Sequence, residues 1–326
     1  MAKQPASHMD LTRPSQRLRA LNAVLRTVVK PRLARTKSPS LARADFERVA
    51  RLVFRAPPYL LRQVRPAPIS APELHWVTSG HPTRRGVLLY FHGGAYFAGS
   101  PATHQGIAAR LARLTGLEVV LPAYRLAPEH PAPAAFSDAC AAHAALLHMG
   151  HSADEIVLAG DSAGGGLALA LLAHLCRTGA RPAALVAFSP WVDLALGSAS
   201  LKTNAAADPF LPVTRIEEVV GYVRGTGRDA LATQDPRISP VHATFDAPPP
   251  VLIQVGDTEI LRDDAIRVAA RLREGGGRVT LSQWPQAPHV WHLFDGYIPE
   301  ARAALEAAAA FLVAHAAEPG TSLPTS

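Results

Sequence analysis

Ile156-Val157-Leu158-Ala159-Gly160-Asp161-Ser162-Ala163-Gly164-Gly165-Gly166 leads from a short apolar, β-branched segment through Gly-x-Ser-x-Gly into Leu167-Ala168-Leu169-Ala170-Leu171-Leu172-Ala173, a strong helix former. That is the pattern of a strand turning sharply into a helix. A serine at the tip of such a turn has its hydroxyl held clear of the backbone, and the helix N-terminus behind it favours negative charge developing there. Gly160 and Gly164 suit the turn, because strand and helix come so close that a Cβ at either place would clash. Ser162 is therefore the candidate nucleophile, around which the rest of the chain is read.

Outward from this turn, short apolar runs alternate with Ala/Leu-rich helical patterns. Strands are expected at 74–77, 87–91, 117–121, 156–159, 185–188, 251–255 and 279–283. Helices are expected near 102–114, 134–149, 163–178, 262–274 and 300–315. Runs such as Val87-Leu88-Leu89-Tyr90-Phe91 are continuously apolar, as strands covered by helices on both faces require. The fold class is α/β, a mostly parallel central sheet flanked by helices. Between about 194 and 240 the strand signals stop and one amphipathic helix follows Thr214, which marks an insertion.

A serine hydroxyl needs a base, and catalytic groups in such sheets gather at the carboxyl ends of strands. His289 lies in the loop after the last strand, with His292 as its rival. Asp257 follows the strand 251–255 and is the preferred acid. Glu259, Asp263, Asp264 and Asp193 are the alternatives, Asp263 and Asp264 reading more simply as helix N-terminal residues. His92-Gly93-Gly94-Ala95 directly follows the strand 87–91. Adjacent glycines leave amides uncovered, so this loop and Ala163 are placed to donate to an oxyanion, while a simple tight turn is the other use of Gly-Gly.

His92-Gly93-Gly94-Ala95, Tyr124-Arg125-Leu126-Ala127-Pro128-Glu129, Gly160-Asp161-Ser162-Ala163-Gly164-Gly165 and the Asp257 and His289 segments together resemble the hormone-sensitive-lipase-like, or bacterial family IV, carboxylesterases with Gly-Asp-Ser-Ala-Gly. The resemblance covers roughly residues 70–315. It implies an α/β-hydrolase fold with a helical cap, hydrolysing short- to medium-chain acyl esters without a cofactor or metal. It also implies Ser162 as nucleophile, His289 as base, Asp257 as its orienter, and the amides of Gly93, Gly94 and Ala163 as the oxyanion hole. The sequence departs from the family pattern at Ala95, where a third glycine is usual, and at Ala123, where an aspartate is frequent. Lactone or amide hydrolysis on the same triad is an alternative. A non-catalytic receptor, as the plant gibberellin receptors are, fits less well because those resemble this scaffold with the triad histidine replaced.

The implied organisation is cap helices over 1–70, a catalytic domain over 71–194 and 241–318, a cap insertion over 195–240 and a polar tail over 319–326. Ser7-His8-Met9 reads as a cloning junction, so the residues before Met9 carry no fold argument. In 13–30, Leu18, Leu21, Leu25, Val28 and Val29 recur at helical spacing, and Pro31 is expected to end the run. A second amphipathic helix is expected from Ser40, as N-cap, to Phe54, with Phe46, Val49, Ala50 and Val53 as its stripe. The Pro-rich passage 57–72 reads as a connector. The helices cannot bury their stripes alone, so they are expected to close over Ser162, with Trp191 and Phe210 helping to line an apolar acyl pocket.

The net charge of +7 conceals an asymmetry: residues 1–65 carry 15 Lys+Arg against 3 Asp+Glu, leaving −5 for the remainder. Few aromatics interleave these arginines, which argues against nucleic acid as partner. Their simplest reading is the wet face of amphipathic helices, the alternative being contact with anionic lipid or an anionic substrate surface. Cys140 and Cys176 lie in helical patterns as small apolar residues, without disulfide or zinc spacing. No apolar run is long enough to span a membrane and no secretory signal stands out, so a cytoplasmic protein acting on a small-molecule ester, without stable membrane insertion, is expected. Oligomeric state is left open by the residues; members of the resembled family often pair as homodimers through the last strand.

Overall fold

The computed structural model describes residues 13–316 apart from 37, 55 and 68, so the junction at 7–9 and the polar tail lie outside the described residues. Eight strands form one sheet: β1 Leu60–Arg65, β2 Leu74–Ser79, β3 Val87–Phe91, β4 Glu118–Pro122, β5 Ile156–Asp161, β6 Ala184–Phe188, β7 Val251–Gly256 and β8 Val279–Trp284. Their spatial order is β1-β2-β4-β3-β5-β6-β7-β8. β2 runs antiparallel to both β1 and β4, and the other neighbours are parallel. This is the α/β class the periodicity indicated, with β3, β5 and β6 fully buried along their length.

The helices are α1 Gln16–Val24, α2 Lys30–Arg35, α3 Pro39–Val53, α4 Gln105–Thr115, α5 Ala134–His148, α6 Ala163–Thr178, α7 Ser200–Thr203, α8 Ile216–Arg224, α9 Arg262–Glu274 and α10 Pro299–His315. α5, α6 and α9 contribute to a large core on one face of the sheet, while α4 and α10 cover a second core containing Leu88, Tyr90, Val157 and Phe188. The alternation of faces along β3 explains the split, since Leu89 and Phe91 enter the first core and Leu88 and Tyr90 the second.

The N-terminal third departs from the sequence expectation in three ways. β1 is a strand inside the passage read as a connector. It is a short edge strand with four of its six residues exposed, so little burial marks it in the sequence. Pro31 does not end the first helix. A π-helical turn over Leu25–Val29 widens the backbone, the Lys30 N–H reaching the Leu25 carbonyl, and Pro31 then sits in the first turn of α2, where a missing N–H costs nothing. The cap of α3 is Ser38 rather than Ser40: its hydroxyl accepts from the Leu41 N–H, and Pro39 follows at the first helical position.

These helices do find a partner. Leu18 and Leu25 are buried against Trp284, Trp291, Phe294 and Ile298, with Phe54 and Phe210 packed alongside. Ser15 donates to Glu300 through both its N–H and its hydroxyl. The Lys30 ammonium donates to the carbonyls of Ala205 and Asp208. Arg43 donates to the carbonyls of Phe97 and Ala127 and pairs with Glu129. The N-terminal segment is thereby fastened to the loop after β3, to the 195–240 segment and to the region after β8. Because Leu18 is fully buried, Leu18→Ala should cost about 2–5 kcal/mol. Urea unfolding checks this, and a loss near zero would mean that α1 is not held by its apolar side.

Candidate active site

β5 ends at Asp161 and α6 begins at Ala163, leaving Ser162 alone in the turn at φ +53°, ψ −124°. Such a conformation is unfavourable for a residue with a side chain and persists only where the surroundings enforce it. Here the Ser162 N–H donates to the Phe188 carbonyl at 2.8 Å, and its own carbonyl accepts from Trp191 and Gly166, each at 3.0 Å. A Cβ on Gly164 would run into the carbonyls of Phe91 and His92, and one on Gly160 into that of Gly164. Both glycines are therefore dictated by the approach of α6 to β3 and β5.

The Ser162 Oγ lies 2.9 Å from His289 Nε2. His289 Nδ1 lies 2.7 Å from Glu259 Oε2. The other oxygen of that carboxylate accepts from the Ser189 hydroxyl at 2.7 Å and from the Gly256 N–H at 2.6 Å. Ser189 in turn accepts from the Val290 N–H at 3.2 Å, next to the histidine. Glu259 is completely buried, so these partners fix both its oxygens and its direction.

The acid beside His289 is thus Glu259 and not the expected Asp257. Beyond β7 the chain reverses, with the Glu259 N–H returning to the Gly256 carbonyl, and this turn aims residue 259 at the histidine. Asp257 faces the turn after β8, where it accepts from the Gln286 N–H at 2.7 Å. The remaining carboxylates hold the segment after β6. Asp264 accepts from the amides of Val192 and Asp193, Asp193 pairs with Arg267, and Asp263 accepts from Ser200. His292 is turned away from Ser162, its Nε2 2.8 Å from Gln254 Oε1 and its ring packed on Phe188 and Trp291.

The loop after β3 needs a second correction. The Gly93 N–H is already committed, donating to Asp161 Oδ1 at 3.0 Å, so it is not available to a substrate. Tyr90 donates to the same oxygen at 2.7 Å, and His104 Nε2 lies 3.4 Å from the other. Burial alone would push the Asp161 carboxyl upward, but the neighbouring imidazole of His104 and these hydrogen bonds hold it below its usual range. The Tyr124 hydroxyl donates to the His92 carbonyl at 2.7 Å and its ring stacks on the His92 ring. Arg125 grips Asp138. Tyr124 of the Tyr-Arg motif and the aspartate of Gly-Asp-Ser-Ala-Gly therefore brace the glycine loop, while Arg125 ties the same segment to α5, roles not evident from their spacing. Gly94 turns at φ +122°, where a Cβ would strike the Ala98 carbonyl, and Ala95 keeps a positive φ of 52° despite its methyl group.

Phe210 lies with its ring 6.2 Å from that of His289. Its loop is held by Asp208, which accepts from the Phe210 and Ile260 amides. Trp191 is nearly fully buried, facing Tyr96 at 6.3 Å. Asn204 donates to the Asp257 and Glu259 carbonyls, tying the 195–240 segment to the turn that bears the acid.

Comparison with known proteins agrees with this fold. Residues 88–293 match the family model of the alpha/beta hydrolase fold. An acetyl-hydrolase of Streptomyces hygroscopicus is 41% identical over 247 residues, covering 72% of this chain and 81% of the relative. An esterase of Acinetobacter venetianus is 32% identical over 292 residues, 89% of this chain and 93% of that one. A solved esterase of the bacterial hormone-sensitive lipase family superposes with a TM-score of 0.84 at 32% identity, covering 97% of this chain and all of the other. The chain belongs to the hormone-sensitive-lipase-like, bacterial family IV carboxylesterases. It is an ester hydrolase acting on small-molecule esters. Among the described residues no helix is long and apolar enough to cross a membrane.

Two buried histidines give the esterase a measurable acid response. Burial, followed by repulsion from His104, holds His92 at about 3, and burial first of all holds His292 at about 3. Each stays neutral in the folded state where the unfolded chain, at an ordinary value of about 6.5, binds a proton. Stability contributed by these groups is therefore complete above pH 6.5 and falls as pH drops from there toward 3, by up to about 1.4 kcal/mol per pH unit for each group. His292→Gln removes one of those protons, so urea unfolding between pH 7 and pH 5 should show a shallower loss than in the parent. An unchanged slope would mean that His292 is protonated in the folded protein.

Proposed function

We propose that Ser162, His289 and Glu259 form the catalytic triad and that ester hydrolysis proceeds through an acyl-enzyme. The observation carrying this reading is the unbroken run from Ser162 Oγ through both ring nitrogens of His289 to a buried, doubly anchored carboxylate. His289 Nε2 takes the hydroxyl proton as Ser162 attacks the ester carbonyl. The carboxylate of Glu259 accepts from Nδ1–H, selecting the tautomer that leaves Nε2 free and stabilising the imidazolium that forms. Collapse of the tetrahedral intermediate expels the alcohol with that proton. A water activated by the same nitrogen then releases the acid.

For the oxyanion we assign the amides of Gly94 and Ala95 together with Ala163, whose N–H opens α6 and so has no intrahelical acceptor. Gly93 serves instead as the strut to Asp161. Ala95 occupies the place of the family's third glycine and still supplies an N–H, so the replacement removes no donor, and its side chain packs against the first core.

The N-terminal helices and the 195–240 segment form the cap in this reading, with Phe210 beside His289 and Trp191 beyond it limiting the acyl side to short and medium chains. The similarity to an acetyl-hydrolase supports the same choice. The outer edge of β8 is where a second copy would pair in a homodimer.

Two experiments test the proposal. Glu259→Gln should lower kcat by about 10³–10⁴-fold with KM little changed, since it favours the wrong histidine tautomer. Asp257→Asn should retain most of the rate, and the reverse ranking would return the acid to Asp257. On p-nitrophenyl esters of increasing chain length, kcat/KM should peak at short chains and fall steeply toward long ones. A maximum at long chains would remove Phe210 and Trp191 as the limit of the pocket.

A further inference from the structure

α1, the π-helical turn and α3 bury Leu18, Leu25 and Ala50, and they leave exposed a surface that a simple wet face does not explain. Val24 is 53% exposed, Val28 60%, Leu41 63%, Val49 47% and Leu52 71%. Large aliphatic side chains are rarely gathered in this number on a face already turned from the core. The same segment carries exposed arginines, Arg17, Arg19, Arg26, Arg32, Arg35, Arg48 and Arg51, of which Arg26 donates to the Ala207 carbonyl, and Glu47 is the one exposed acid among the described residues from 13 to 65. Asp45 and Glu47 pair with Arg32, Arg48 and Arg51, which leaves a strong excess of positive charge.

The two kinds of side chain interleave along single stripes. On α3, Leu41, Arg48 and Leu52 are separated by seven and four residues, so they project to one side. Val24 and Val28 are likewise four apart, with Arg17 seven residues before Val24. We propose that this outer face of the N-terminal helices docks on an anionic lipid surface. Aliphatic side chains enter the boundary between headgroups and acyl chains while guanidinium groups stay at the phosphates, which uses both members of the pattern. A nucleic acid would engage the arginines and leave the leucines and valines unused. A second copy of the chain would bring the same positive surface against itself. Docking there leaves the inner side of the helices on Trp284, Trp291 and Phe294, so the cap need not unfold to bind.

Sedimentation with vesicles tests this with no dependence on hydrolysis. Phosphatidylcholine vesicles containing one-third phosphatidylglycerol should carry the full-length protein down at low salt, and pure phosphatidylcholine vesicles should carry at least tenfold less. Raising the salt should weaken binding, because exposed charges are screened over about 10 Å at 0.1 M. Leu41→Gln with Leu52→Gln, and separately Arg48→Gln with Arg51→Gln, should each reduce binding several-fold. Both double variants should retain the parent's circular dichroism and its rate on a soluble short ester. Absence of sedimentation with the anionic vesicles overturns the proposal, as does equal binding to both vesicle types. Binding indifferent to both double variants, or self-association that disappears in them while vesicles remain unbound, overturns it as well.

Discussion

The approach of α6 to β5 and β3 is so close that the carbonyls of Phe91, His92 and Gly164 occupy the space that side chains at 160 and 164 would need. Much of the active site follows from that contact. It leaves one residue to turn the chain, forces that residue to a positive φ, and lifts its hydroxyl to the end of the sheet where β6 and β7 deliver their loops. The backbone of Ser162 is tied at the amide to β6 and at the carbonyl to Trp191, so the strained conformation is over-determined by neighbours. Asp161, immediately before it, reaches across to brace the glycine loop of β3. One turn thereby positions the nucleophile and the loop assigned to the oxyanion.

The sheet was legible because continuous apolar runs between helical patterns admit little else, and the strands of the catalytic half lie where the periodicity puts them. β1 escaped because it is an exposed edge strand flanked by prolines, with no buried face to impose an alternating pattern. Pro31 fails to end the helix for a different reason. A π-helical turn ahead of it absorbs the disruption, and Leu25, which opens that turn, is buried against the tryptophans, a tertiary contact invisible in local sequence. The same docking shows why the amphipathic stripe of α1 and α3 was informative even though the segment's partner was not.

Within the candidate site, Ser162 and His289 were readable from their placement at strand ends, whereas the carboxylate was not. Asp257 and Glu259 lie two residues apart after the same strand, and position alone favours the one nearer the strand end. What distinguishes them is the reversal of the chain after Gly256, together with Ser189 and the Gly256 amide waiting for the second carboxylate oxygen. A glutamate carries one more methylene than an aspartate, which suits a group reaching back from a turn. The commitment of the Gly93 amide was equally hidden, since its acceptor lies 68 residues away in sequence. Adjacent glycines announce that amides are exposed without saying which of them a buried carboxylate has already taken.

Acylation of Ser162 in turnover can be tested by covalent labelling. The protein should be treated with a p-nitrophenyl alkylphosphonate, which leaves a stable phosphonyl group on an activated serine, and then digested and mapped by mass spectrometry. Complete inactivation is expected with one adduct per chain, located on Ser162 and absent when Glu259→Gln is treated for the same short time. Complete inactivation with the adduct on another residue, or labelling of Ser162 that leaves ester hydrolysis intact, would contradict it.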